Sequence, residues 1–261
     1  MRLPGIVSVT HSTRVASEAA VSQRLAVACD LTAAHLWSMV LPSGFGLDVD
    51  AQACALATER GGSRHRAAGI RGRRLELPAS HLTMLNGILL TNPARTWLDC
   101  AALITWRDLV AMGDAILRHH LTEERDLQQI VSWGRGRRGV RPARQALGIL
   151  DPQSESPGES WLRAYLISTG LPQPVCNFRV RIGEYDFRLD MAWPASKVAV
   201  EYDGEEFHDD AQHDRDSWRR SLLRQAGWVV IVVRKENLRG TDDIPSQVTR
   251  ALVDARSSRP E

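Results

Sequence analysis

The chain has 261 residues, 43% hydrophobic and 25% charged, with 33 basic against 31 acidic side chains and a formal net charge of +2. That length strains a single hydrophobic core and predicts two domains. The near balance of charge makes no general case for nucleic-acid binding. No run approaches the roughly 18 apolar residues that a membrane span needs.

Cys29, Cys54, Cys100 and Cys176 form no CxxC pair, which excludes the usual zinc and redox motifs and predicts reduced thiols. The opening residues, MRLPGIVSVTHSTR, lack a basic start followed by an apolar run. A cytoplasmic protein without membrane contact is therefore expected.

In chain order, Glu18 to Val40 reads as helical. Leu47 to Leu77 reads as short strands and turns, broken by Gly61-Gly62, Gly69 and Gly72. Asn92-Pro93 starts a helix over Ala94 to Leu103. Further helices are predicted for Trp106 to Arg118 and for Glu123 to Trp133, the second with Thr122 as N-cap. A short helical run after Pro142 ends at Leu150. The polar, breaker-rich segment 151–158 is the expected linker. It separates a smaller mixed α/β domain over 1–150 from a second domain over 159–261.

The second domain reads as a helix over Glu159 to Thr169, then strands over Val175 to Ile182, Tyr185 to Asp190 and Val198 to Asp203. A long helix over Asp210 to Ala226 follows. Trp228 to Val233 is an almost continuous apolar run, which predicts a strand buried on both faces. A last helix covers Ile244 to Ala255. The order is α-β-β-β-α-β-α.

Two-residue periodicity puts Glu201 and Asp203 on one face of their strand, opposite Val198 and Val200. On the preceding strand Tyr185, Phe187 and Leu189 form an apolar face, with Asp190 on the other side. If the apolar sides of the two strands align, three carboxylates gather. Two readings fit such a group. One is a solvated strand face. The other is a cation site, since clustered carboxylates repel one another unless a hard divalent ion relieves them. Glu159 opens the first helix, where a carboxylate also suits the helix dipole. His208 follows as a general acid, a water-orienting group or an exposed loop residue. Arg215 suits either a phosphate contact or a surface ion pair.

Glu159, Asp190, Glu201-Tyr202-Asp203-Gly204, His208, Asp214-Arg215 and Gly227-Trp228-Val229-Val230 together resemble the PD-(D/E)xK nuclease superfamily. They look most like an uncharacterised branch related to the very-short-patch mismatch-repair endonuclease. The resemblance covers roughly residues 156–233. It implies an α/β fold with a restriction-endonuclease-like core, α-β-β-β-α-β around a mixed central sheet. It also implies a magnesium- or manganese-dependent DNA endonuclease of repair or phage defence. Asp190, Glu201 and Asp203 would be its metal ligands, and Glu159 and His208 would assist catalysis. The superfamily usually has lysine where this chain has Asp203, so water activation falls to His208 or to a second metal.

The segment Leu90 to Asp99 and Arg138-Gly139 are similar to the region that precedes this core in actinobacterial members with an abortive-infection-antitoxin-like region. That similarity supplies an alternative function: a non-catalytic, DNA-binding, antitoxin-like regulator that keeps the nuclease fold. DNA is the expected partner, with a second copy or a toxin–antitoxin-type protein as further partners. Arg135, Arg137, Arg138, Arg141 and Arg144 form one basic run; Arg64, Arg66, Arg71, Arg73 and Arg74 form another. Either could neutralise phosphates or merely be solvated. Trp133, Trp161, Trp193 and Trp218 all fit core or half-core positions.

Overall fold

The computed structural model describes residues 26–41, 53–204, 210–234 and 243–257, with backbone only for 210–214. The fold is mixed α/β. The chain divides into two compact units, Met1–Leu150 and Asp151–Glu261. The first unit is the longer stretch of chain, not the smaller domain expected.

In the first unit, strands β1 (Val27–Ala28), β2 (Cys54–Glu59), β3 (Ile70–Leu75), β4 (Leu82–Leu85) and β5 (Ile88–Thr91) form one sheet in the order β3-β2-β1-β5-β4. β1 and the short helix α1 (Asp30–Leu36) stand where one long helix was expected, residues 37–40 are not helical, and residues 18–25 of that prediction lie outside the described residues. Val27 and Ala28 are buried on opposite faces of the sheet, between β2 and β5. Pairing on both sides and burial on both faces override local helical propensity there.

Helices α2 (Pro93–Cys100), α3 (Trp106–Arg118), α4 (Glu124–Trp133) and α5 (Val140–Leu147) follow among the described residues of this unit. Asn92 caps α2 by accepting the Arg95 N–H at 2.9 Å. The cap of α4 is Glu123, one residue after the expected Thr122. Asp126 decides this, because its carboxylate accepts from the Glu123 N–H at 3.2 Å and from the Thr122 hydroxyl at 3.1 Å.

The second unit holds α6 (Pro157–Ser168), β6 (Val175–Ile182), β7 (Tyr185–Trp193), β8 (Val198–Asp203), α7 (Asp210–Gln225), β9 (Val229–Arg234) and α8 (Ile244–Ser257). The sheet order is β6-β7-β8-β9, antiparallel except for the parallel β8–β9 pair. One face packs Met191, Trp193, Val198 and Val200 against Leu162 and Leu166 of α6 and Ile244, Val248 and Leu252 of α8. The other packs Leu189, Ala192 and Ala199 against Leu223 of α7 and Trp228.

Two expectations change here. The segment 151–158 is built into the second unit rather than linking freely. Ser154 is buried, Ser156 caps α6, and Glu155 forms a two-pronged ion pair with Arg188 at 2.5 and 2.7 Å. And β9 is not buried on both faces. It ends the described sheet, Val229 is 46% exposed, and only Val233 is fully buried.

Candidate functional site

The site begins with a break in the pleat of β7. Phe187 and Leu189 face α7, but Met191 faces α6 and α8, although all three have the same parity. The strand therefore changes face at Asp190. The partner strand marks the same place. The β6–β7 register runs through Cys176↔Met191 and Phe178↔Leu189, while the pair between them, Asn177 with Asp190, does not form. Asn177 has φ +48°, in the left-handed region that asparagine tolerates better than most residues.

The consequence corrects the sequence argument. The apolar Phe187 and Leu189 lie on the α7 side with Ala199, not with Val198 and Val200. Had the pleat run on unbroken, Asp190 would have pointed away from Glu201. The face change is what brings the two together.

The β7–β8 ladder stops at Met191↔Val200, just short of Asp190 and Glu201. Beyond it β8 remains paired to β9 as far as Asp203↔Arg234. β7 thus leaves β8, and the gap is closed by side-chain chemistry: Asp190 Oδ2 accepts the Tyr202 N–H at 2.8 Å. The resulting cleft, about 210 Å³, is lined by Asp190, Glu201, Tyr202, Asp203, Asp216, Arg219, Arg220 and Val232.

Burial pushes the Asp190 carboxyl up to about 6. The Tyr202 N–H and Arg219 pull it down, while the neighbouring Glu159 and Glu201 charges push it further up. Glu201 is largely buried, its side chain 13% exposed. Arg219 Nη1 donates to Glu201 Oε2 at 2.9 Å, and Nη2 lies 2.6 Å from Oε1. Oε1 itself is buried and accepts no hydrogen bond.

Sequence comparison adds relatives rather than a family. The chain is similar to two proteins of Mycobacterium tuberculosis, each called only "Uncharacterized protein", from strains CDC 1551 / Oshkosh and ATCC 25618 / H37Rv. Each is 29% identical over 247 residues, covering 90% of this chain and 88% of the relative. No family model matches the sequence, and no solved structure matches it.

The other expected residues are distributed unevenly. Asp203 lines the cleft but is 3.9 Å from Arg234 Nε. Glu159 is near enough to Asp190 to act on its charge, yet its Oε2 accepts the Glu155 N–H at 2.8 Å, a helix-start role. His208 lies outside the described residues, as does the side chain of Asp214. Arg215 is exposed and does not line the cleft; Arg219 and Arg220, one turn further along α7, do.

Arg137 has partners within the chain. It pairs with Glu76 at 2.6 Å and lies 3.8 Å over the Trp133 ring. Arg135, Arg138, Arg141 and Arg144 are exposed. In the other run, Arg71 and Arg73 are drawn to the buried Asp30, at 3.0 and 3.5 Å. Trp218 departs from its expected place, being 47% exposed and edge-on to Tyr185.

Arg219 is the residue the sequence reading missed. Its only signal was helical spacing: Asp216, Arg219 and Arg220 stand at i, i+3 and i+4, one face of α7, with buried Leu223 next in that row.

The donor set fits a hard divalent ion in a limited way. Among the described residues no three Asp, Glu, His or Cys side chains converge as a ready-made cage. Asp190 and Glu201 offer two carboxylates, and Mg²⁺ is commonly held by one or two carboxylates with water and substrate phosphate completing the shell.

Proposed function

We propose that the second unit is the core of a metal-dependent DNA endonuclease of the PD-(D/E)xK kind, with Asp190 and Glu201 as the oxygen ligands of Mg²⁺ or Mn²⁺. The observation that carries this reading is the pair itself. Two largely buried carboxylates, Asp190 and Glu201, line one cleft where β7 leaves β8, and one cation, Arg219, pairs with Glu201 there. Burying such a pair is costly, and a protein with no use for the charge would more readily place apolar groups there.

A bound divalent ion would lower the pKa of a coordinated water and polarise a phosphodiester. The chain's own groups do the rest. The Tyr202 N–H fixes the Asp190 carboxylate, Glu159 adjusts the charge around it, Asp203 lines the same cleft, and Arg219 and Arg220 offer guanidinium forks suited to phosphate. His208 lies just beyond β8 in sequence, after residues 204–207, and is the proposed proton-handling group.

One observation favours a second reading, a DNA-binding regulator that keeps the fold without catalysis. Arg219 already neutralises Glu201, and Asp203 stands where the resemblance expects lysine. Plasmid nicking separates the two. We expect nicking by the wild-type chain with Mg²⁺ or Mn²⁺, none in chelator, and none from Asp190→Ala or Glu201→Ala. Cleavage that survives Asp190→Ala would remove this site. DNA binding with no cleavage of any duplex, nicked or single-stranded substrate would favour the regulator.

A further inference from the structure

The cleft contains a cation supplied by the chain itself. Arg219 reaches from α7 across to β8, donates to Glu201 Oε2 at 2.9 Å and lies at ion-pair distance, 2.6 Å, from Oε1. Nη2 also donates to the Arg188 carbonyl of β7 at 2.5 Å, so one guanidinium spans the gap where the two strands part. The side chains are only 25% and 13% exposed, and solvent screening of the pair is correspondingly weak.

The Oε2 lone pair that accepts from Arg219, and the charge that Arg219 balances, are what a metal ion at Glu201 would also use. Arg219 and a divalent ion therefore compete for Glu201. The same guanidinium fork fits the paired oxygens of a phosphodiester equally well. The Phe187 ring centroid lies 5.9 Å from the guanidinium, a weak cation–π contact beside the two oxygen partners. Arg220, its neighbour in the cleft, is turned back onto the Asp216 carbonyl at 3.1 Å and leaves the Glu201 position to Arg219.

We infer that Arg219 is an exchangeable internal cation: it holds Glu201 in the free protein and passes to a backbone phosphate when DNA enters, so that metal loading is coupled to DNA binding. This rests on the metal-nuclease reading of the same cleft and adds to it a phosphate-binding residue and an order of events. Metal affinity is low without DNA because Arg219 competes for the ligand. With DNA bound, the competitor has moved onto the substrate.

The test uses the full chain and two readouts that need no turnover. The first is Mn²⁺ titration by calorimetry without DNA, for wild type, Arg219→Gln and Arg219→Lys. The second is the affinity for a short DNA duplex in chelator, by fluorescence anisotropy. Arg219→Gln should bind Mn²⁺ about tenfold tighter than wild type, the size of one charge-assisted hydrogen bond, and bind DNA several-fold more weakly. Arg219→Lys keeps the charge without the fork and should fall between. Should the glutamine variant not fold, the lysine variant carries the same comparison with a smaller gain.

Equal Mn²⁺ affinities in wild type and variants would overturn the exchange while leaving Asp190 and Glu201 as ligands. Unchanged DNA affinity would overturn the transfer to phosphate. No Mn²⁺ binding by any of the three proteins would remove the metal reading itself, and this inference with it.

Discussion

At Asp190 burial and hydrogen bonding act in opposite directions, and burial wins. The carboxyl is pushed up to about 6 from an ordinary value of 3.8. A carboxyl whose pKa is raised by folding binds its proton more tightly in the native state than in the unfolded chain. Its contribution favours the fold fully below the unfolded value and is lost as pH rises through about 6. At neutral pH, in the absence of metal, the ionised Asp190 therefore costs stability, on the order of 1–3 kcal/mol. Asp190→Asn retains an acceptor for the Tyr202 N–H and removes the charge. We expect the variant to be more stable than wild type at pH 8 and to lose that advantage at pH 4.5, measured by urea unfolding without metal. An advantage independent of pH would mean that the charge is not the source of the cost.

At the scale of elements, the ring of Tyr202 ties β8 to the start of α6. A Cβ placed on Gly158 would overlap this ring, and one on Gly204 would come within 2.9 Å of it. Gly158 thus sets how closely the helix that carries Glu159 approaches the strand that carries Glu201. Gly158→Ala should lower the urea midpoint, by about 1–3 kcal/mol of stability as an overpacked contact, and should loosen the Tyr202–Asp190 hydrogen bond. A midpoint equal to wild type would show that the ring moves aside freely.

The same strands show what a sequence can reveal. β6 and β8 were legible to the residue, because alternating apolar positions and flanking glycine or proline signals mark both ends. β7 runs on to Trp193, past the expected end at Asp190, because Met191-Ala192-Trp193 carries no alternation to read. The partnership of Asp190 with Glu201 was expected for the wrong reason. Periodicity assumes an unbroken pleat, whereas the structure breaks it at Asp190, opposite a left-handed Asn177. Arg219 was illegible for a different reason. It meets Glu201 only through the docking of α7 on the sheet, and nothing local to Arg219 distinguishes it from the arginines beside it.

At the scale of the whole molecule, the near-neutral net charge conceals an uneven distribution. Residues 134–147 contain five arginines and no acidic residue. Arg137 is taken up by Glu76 and Trp133, which anchors the turn leading into α5. That leaves Arg135, Arg138, Arg141 and Arg144 exposed in the first unit. If the chain acts on DNA as proposed, these four are the natural source of sequence-independent affinity outside the cleft. Each phosphate neutralised contributes about 0.9 to the slope of log affinity against log salt. Replacing all four by alanine should weaken duplex binding uniformly across sequences and flatten that slope by about 3 to 4. The salt titration should be run beside Arg219→Gln, whose loss is confined to one phosphate and about one unit of slope. A quadruple variant with an unchanged slope would assign these four arginines to solvent.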